Sequence, residues 1–179
     1  MRTDLSKYNI SWYKPGNKLF IILWYFVNII FFQNKLIPFN SIKIFLLKFF
    51  GAKLGEGVII KPGVNIKYPW NLKIGDFVWI GEDVWIDNLA HVYIGNNVCI
   101  SQGAMLLCGN HHYKKSTFDL IIGEITIKDG VWIAARSIVT NNITCKEHSV
   151  LLTNSVATNN LEPYNIYRGN PAKSIKKRK

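Results

Sequence analysis

The sequence predicts an all-β protein, a parallel β-helix of about five coils and triangular section, with a helical segment at its N-terminus. Three observations carry this. An aliphatic residue recurs every six positions from Leu54 onward, the register resumes after an interruption, and the first 53 residues lack the period but hold two apolar stretches. At 179 residues and 49% apolar composition the chain is one domain able to bury its own core. Its three cysteines, Cys99, Cys108 and Cys145, form no C-x-x-C pair. That excludes a disulfide scaffold and a structural zinc site, and it suits a reducing, cytoplasmic setting.

The first division covers 1–53. Residues 19–32 carry only Asn28 as a polar interruption and are flanked by Lys14, Lys18 and Lys35. As a helix this run reaches roughly 21 Å, short of the roughly 30 Å hydrocarbon core, so it does not span a bilayer alone. A second apolar stretch follows Pro38, where Asn40 or Ser41 can cap a helix and Gly51 can end it. Two readings fit equally: a cap over an open core, or a basic, aromatic seat on the inner face of the cytoplasmic membrane.

The second division, 54–160, is the repeat. Inward positions fall at Leu54, Ile60 and Ile66, then Ile74, Ile80 and Ile86, then Ile94, Ile100 and Leu106. They resume at Ile127, Ile133 and Val139 and end with Cys145, Leu151 and Ala157. Small or β-branched residues four positions later, such as Val58, Val78, Val98 and Val131, suit corners, as do Gly55, Gly75, Gly81 and Gly95 directly after the aliphatic. Sandwich strands follow a longer spacing, so the six-residue register argues for the β-helix.

The third division, 161–179, is basic. The formal charge of +11 is concentrated at the two ends of the chain, while 54–167 is mildly acidic. A duplex binder would present a continuous basic face, so nucleic acid is excluded as the partner in favour of an anionic membrane surface or an anionic cosubstrate.

Between Leu106 and Ile127 the register breaks, which leaves an inserted loop over 107–124. Excursions from a solenoid corner commonly carry function. This one holds His111 and His112, and a histidine at the edge of a rigid coil suits a general base. Cys108 reads as a small loop residue, since no base and orienting group are evident around it.

The hexapeptide register, Gly109-Asn110-His111 in the loop, Trp132-Ile133-Ala134 at the restart and Gly169-Asn170-Pro171-Ala172-Lys173 near the end resemble the left-handed β-helix acyltransferases. With FFGAKLG at 49–55, YPWNLKIGD at 68–76 and VWIGEDVWIDNLA at 78–90, nearly the whole chain resembles the colanic acid biosynthesis acetyltransferases among them. That resemblance implies a left-handed coil, acetyl-CoA as cosubstrate without a metal, and a homotrimer with active sites between subunits. It implies O-acetylation of a sugar in surface-polysaccharide assembly, on an acceptor such as a lipid-linked glycan. His111 matches the catalytic histidine, and His112 is the second candidate. Asn88, beside Asp87, matches an acceptor-binding asparagine; Asp87 either holds sugar hydroxyls or bonds its own backbone at a corner. Trp132, Ala134, Ala135 and Thr153 would follow the pantetheine arm, with Lys173 and Lys176 near the phosphates.

The chain departs from many relatives in having Thr158-Asn159-Asn160 where they carry Thr-Lys-Asp, which shifts phosphate contacts toward the C-terminal lysines. Other activities share the scaffold. An amino-sugar N-acetyltransferase differs only in the acceptor atom, and a zinc carbonic anhydrase needs a spaced histidine pair that His111-His112 does not supply. A non-enzymatic membrane-surface adaptor would use the basic ends and leave His111 as an ordinary polar residue.

Overall fold

A computed structural model describes residues 2–179. Three parallel sheets form the sides of a prism. Sheet 1 stacks Lys53–Leu54, Leu72–Ile74, Val92–Ile94, Ile125–Ile127 and Thr144–Cys145. Sheet 2 stacks Ile59–Ile60, Trp79–Ile80, Cys99–Ile100, Trp132–Ile133, Val150–Leu151 and Asn165–Arg168, and is closed by the antiparallel Lys173–Lys177. Sheet 3 stacks Asn65–Ile66, Trp85–Asp87, Met105–Leu107, Ile138–Val139 and Val156–Ala157.

The six-residue period sets this register directly. Ile60 faces Ile80 and Ile80 faces Ile100, while across the insertion Ile100 faces Ile133 and Leu106 faces Val139. Every inward position of the repeat except Leu54 is buried, giving one continuous aliphatic column. The solenoid has about six turns where the sequence predicts about five coils. Leu161 bridges Cys145, and Tyr167 stacks on Leu151. Leu161 and Tyr167 keep the six-residue step, but the step from Ala157 to Leu161 is only four, and this shortened corner hides the sixth turn from the pattern.

The N-terminal segment lies on the first coil. Helix α1 (Lys18–Val27) runs into a π-helical turn at Asn28–Gln33, and helix α2 (Asn40–Phe49) follows. Trp24, Phe32, Leu47 and Phe50 are buried on the inner face of this segment and join the solenoid core. The Trp24 indole N–H donates to the Ile66 carbonyl at 2.7 Å, and the Asn28 amide donates to Asn65 Oδ1 at 2.7 Å. The lone polar residue of the apolar run therefore satisfies the exposed edge of coil one. Among the described residues no helix is long and apolar enough to cross a membrane.

Asn40 does not act as the cap expected of it. It is the first residue of α2, and its side chain instead donates to the Val58 carbonyl and accepts from the Ile60 N–H, both at 2.8 Å. A free edge on the first coil outcompetes the helix end for that amide. Gly51 follows the helix end with φ of +92°, a left-handed conformation that favours glycine.

Lys43 lies on the inner face of α2 and is fully buried, with its ammonium 3.4 Å from the Ile60 carbonyl. Burial, with Lys61 nearby, lowers its pKa from 10.5. A folded-state pKa below the unfolded one gives a contribution that is full above 10.5 and lost as pH falls through the lowered value. Lys43→Met is therefore expected to raise Tm at pH 7 by a few degrees, an advantage that shrinks toward alkaline pH. Thermal melts across pH check both parts.

Candidate active site

The insertion leaves the solenoid at the corner between sheets 3 and 1 and folds as a hairpin. Gly109–His111 pairs antiparallel with Leu120–Ile122, and His111 faces Leu120. Its base is tied to the coil below, since the Cys108 N–H donates to the Asp87 carbonyl at 3.2 Å. A rigid ladder thus projects His111 from the prism edge.

The imidazole of His111 is fixed on two sides. Its Nδ1 lies 3.0 Å from the Phe118 carbonyl, and its ring stacks on the Phe118 ring with centroids 4.3 Å apart and planes at 8°. A carbonyl oxygen can only accept, so Nδ1 carries the proton and the neutral ring keeps its lone pair at Nε2. The Tyr8 ring packs against the imidazole at 5.8 Å.

A cavity of about 520 Å³ opens beside this ring, lined by Tyr8, Tyr13, Lys67, Tyr68, Asp87 and His111 among others. The N-terminal strap before α1 forms one wall. Its Asp4 N–H donates to the Ser116 carbonyl of the hairpin, and the Tyr13 hydroxyl donates to the Leu89 carbonyl at 2.7 Å. Burial, with Tyr68 and Asp87 nearby, pushes the Tyr13 phenol far above its ordinary value, so it remains protonated. Asp87 sits low in the cavity with its side chain 13% exposed and pairs with Lys67 at 2.9 Å.

The other sequence-derived positions fall elsewhere. His112 is placed by its N–H to the Asp119 carbonyl and is absent from the cavity wall. Asn88 also misses the cavity. It is fully buried, it accepts from the Tyr68 N–H at 2.9 Å, and its amide donates to the Tyr68 carbonyl. Both polar atoms are thereby engaged in locking two coils together, which corrects its expected contact with an acceptor. Asp87 points into the cavity in its place.

Trp132, Ala134, Ala135 and Thr153 lie on sheet 2 and at its corner with sheet 3, a different edge of the prism from His111. The exposed Trp132 indole is held by an N–H donated to Ser101 Oγ at 2.9 Å. Lys173 and Lys176 are exposed on the last strand, opposite Arg168 and Ile166. Gly169 joins this edge by donating its N–H to Ser155 Oγ at 3.0 Å. One copy of the chain does not bring this group together with His111.

Cys108 is fully buried and its thiol is pushed up to about 12 by burial. A neutral, enclosed thiol is no nucleophile. Sequence reasoning missed Tyr8, Tyr13, Lys67, Tyr68 and Phe118. Lys67-Tyr68 was readable, because the 20-residue offset of the first coils sets it beneath Asp87-Asn88. The strap tyrosines carry no periodic signal.

No family model matches the chain. It is 33% identical over 176 residues to the colanic acid biosynthesis acetyltransferase WcaF of Escherichia coli K12, covering 98% of this chain and 97% of that protein. It is 28% identical over 135 residues to the Escherichia coli K12 galactoside O-acetyltransferase, covering 73% of this chain and 66% of the relative. In structure it resembles the hexapeptide-repeat acetyltransferase VCA0836 of Vibrio cholerae, solved with acetyl coenzyme A, at a TM-score of 0.81 and 20% identity over 90% of this chain and 88% of that one. With near full-length similarity and the coil architecture in agreement, the chain is an acetyltransferase of the hexapeptide-repeat class and belongs to the WcaF family.

Proposed function

We propose that the protein transfers an acetyl group from acetyl-CoA to a sugar hydroxyl in surface-polysaccharide biosynthesis, directly and with His111 as general base. The observation that carries this reading is the His111–Phe118 hydrogen bond, which leaves the Nε2 lone pair beside a cavity walled by tyrosines and one carboxylate. Such a wall of flat apolar faces with a few polar groups suits a glycan ring. Nε2 takes the hydroxyl proton as the oxygen attacks the thioester carbon. The new C–O bond forms, the C–S bond breaks, and the proton passes to the departing thiolate.

The donor side fits the cosubstrate chemically. Small residues at Ala134, Ala135 and Thr153 leave room for a pantetheine arm, and exposed Lys173 and Lys176 offer positive charge to its phosphates. Because these residues and His111 occupy different edges of the prism, a neighbouring copy completes the site, as in a homotrimer. Incubation with radiolabelled acetyl-CoA and a panel of nucleotide- and lipid-linked sugars tests the reading. Alkali-labile label on the sugar supports ester formation, and alkali-stable label on an amino sugar overturns it in favour of N-acetylation.

Asp87 is assigned to acceptor hydroxyls. Asp87→Asn keeps the shape, removes the charge and releases Lys67, and is expected to lower kcat/KM for the acceptor about tenfold or more with the acetyl-CoA KM unchanged. Steady-state kinetics with each substrate varied checks that split.

A further inference from the structure

The inner face of the N-terminal helices is consumed by the core, but the outer face is not. Along α1 and its π-helical turn, Leu19, Ile22, Phe26 and Ile30 recur at helical spacing and are 65%, 54%, 56% and 48% exposed. On α2, Phe45 and Phe49 are 67% and 64% exposed and stack on one another. The two faces adjoin, because Phe20 of α1 and the exposed Phe49 of α2 line one cavity, with Phe20 also packing on Phe50 beneath it at 4.8 Å between centroids. Scattered apolar residues on a surface are ordinary, whereas a two-helix face of this kind marks a binding surface.

Charge identifies the occupant. Residues 5–55 contain no acidic residue, and Lys14, Lys18, Lys48 and Lys53 are exposed around the apolar face. Aromatic and aliphatic side chains framed by lysines complement an anionic lipid surface. Neither helix is long enough to cross, so the pair would lie in the interface with its outer face down.

The catalytic cavity lies close to this face. The Trp70 ring stacks on Tyr68 of the cavity wall at 5.2 Å, touches Phe20 of α1 at 6.1 Å, and donates its indole N–H to the Pro15 carbonyl of the strap at 2.7 Å. One indole separates the acceptor wall from the apolar face. We propose that the N-terminal helix pair seats the enzyme on an anionic bilayer and holds the His111 cavity at the headgroup layer, where it takes a lipid-linked glycan. The choice of acceptor rests on the function proposed above; the seat does not.

Sedimentation with vesicles tests the seat without any turnover. The full chain is expected to pellet with 7:3 phosphatidylcholine:phosphatidylglycerol vesicles, and about tenfold less with phosphatidylcholine alone or in high salt. Phe26→Asp/Phe45→Asp should abolish pelleting, and Lys18→Glu/Lys48→Glu should weaken it about tenfold. All four positions are exposed, so turnover of a water-soluble acceptor should persist in both variants while turnover of a lipid-linked one falls. Lack of pelleting by the unaltered chain, or pelleting unchanged in the Asp variant, overturns the proposal. So does light scattering that shows the Asp variant splitting an oligomer, which would make a second copy the occupant. Vesicle binding without acetyl transfer would sink the proposed activity and leave the seat standing.

Discussion

Replacing His111 by alanine is expected to lower kcat at least about 100-fold while leaving acetyl-CoA binding intact. A sugar hydroxyl is a weak nucleophile at neutral pH, and removing its proton during attack is the part of the reaction that a thioester, already carrying a good leaving group, does not supply. The donor residues proposed on sheet 2 and its corner lie on another edge of the prism, so the substitution leaves them untouched. Since His111 is only partly buried on a hairpin edge, the fold should survive. Phe118→Ala gives a graded companion. It keeps the backbone carbonyl that accepts from Nδ1 but removes the ring stacked at 4.3 Å, so kcat should fall less than in the alanine variant at 111. Isothermal titration with acetyl-CoA alongside turnover separates the steps. Residual turnover within tenfold of the unaltered enzyme in His111→Ala would remove the imidazole from the mechanism.

What the sequence made legible follows from how each feature is encoded. The solenoid could be read because a stacked coil repeats one environment every six residues, so each of Ile60, Ile80, Ile100 and Ile133 reports the same column. The loop that carries His111 could be located because the break between Leu106 and Ile127 is the longest departure from that register. Asn88 was misread for a physical reason: a corner asparagine is equally suited to a ligand and to the backbone one coil below, and here Tyr68 claims both of its polar atoms. The strap was illegible because Tyr8 and Tyr13 are held by single long-range bonds and ring contacts, which leave no trace in spacing. On the N-terminal helices, burial of Trp24 and exposure of Phe26 two residues later show why two readings fitted one apolar run. The run has one face for the core and another for something else.

The largest structural effect is expected at the corner between sheets 1 and 2. Gly55, Gly75 and Gly95 stack there one above another, each following an inward aliphatic residue. A Cβ on Gly75 would lie 2.9 Å from both the carbonyl carbon and the oxygen of Gly95. The Asn96 side-chain oxygen is met first and the Gly95 backbone behind it, and both are pinned: the Gly75 N–H donates to the Ile94 carbonyl at 2.8 Å, and the Asp76 N–H donates to Asn96 Oδ1 at 2.8 Å. Relief requires separating two coils, which lengthens rungs on sheet 1 and opens the column between Ile74 and Ile94. Gly75→Ala is therefore expected to cost about 3 kcal/mol, near the upper end for overpacking, which for a chain of this size lowers Tm by about 6–12 °C. In a solenoid each coil is supported only by its neighbours, so the damage should spread as early amide exchange in the first two coils and the helices resting on them. A Tm within about 2 °C of the unaltered protein would mean that the coils can part at this corner without loss.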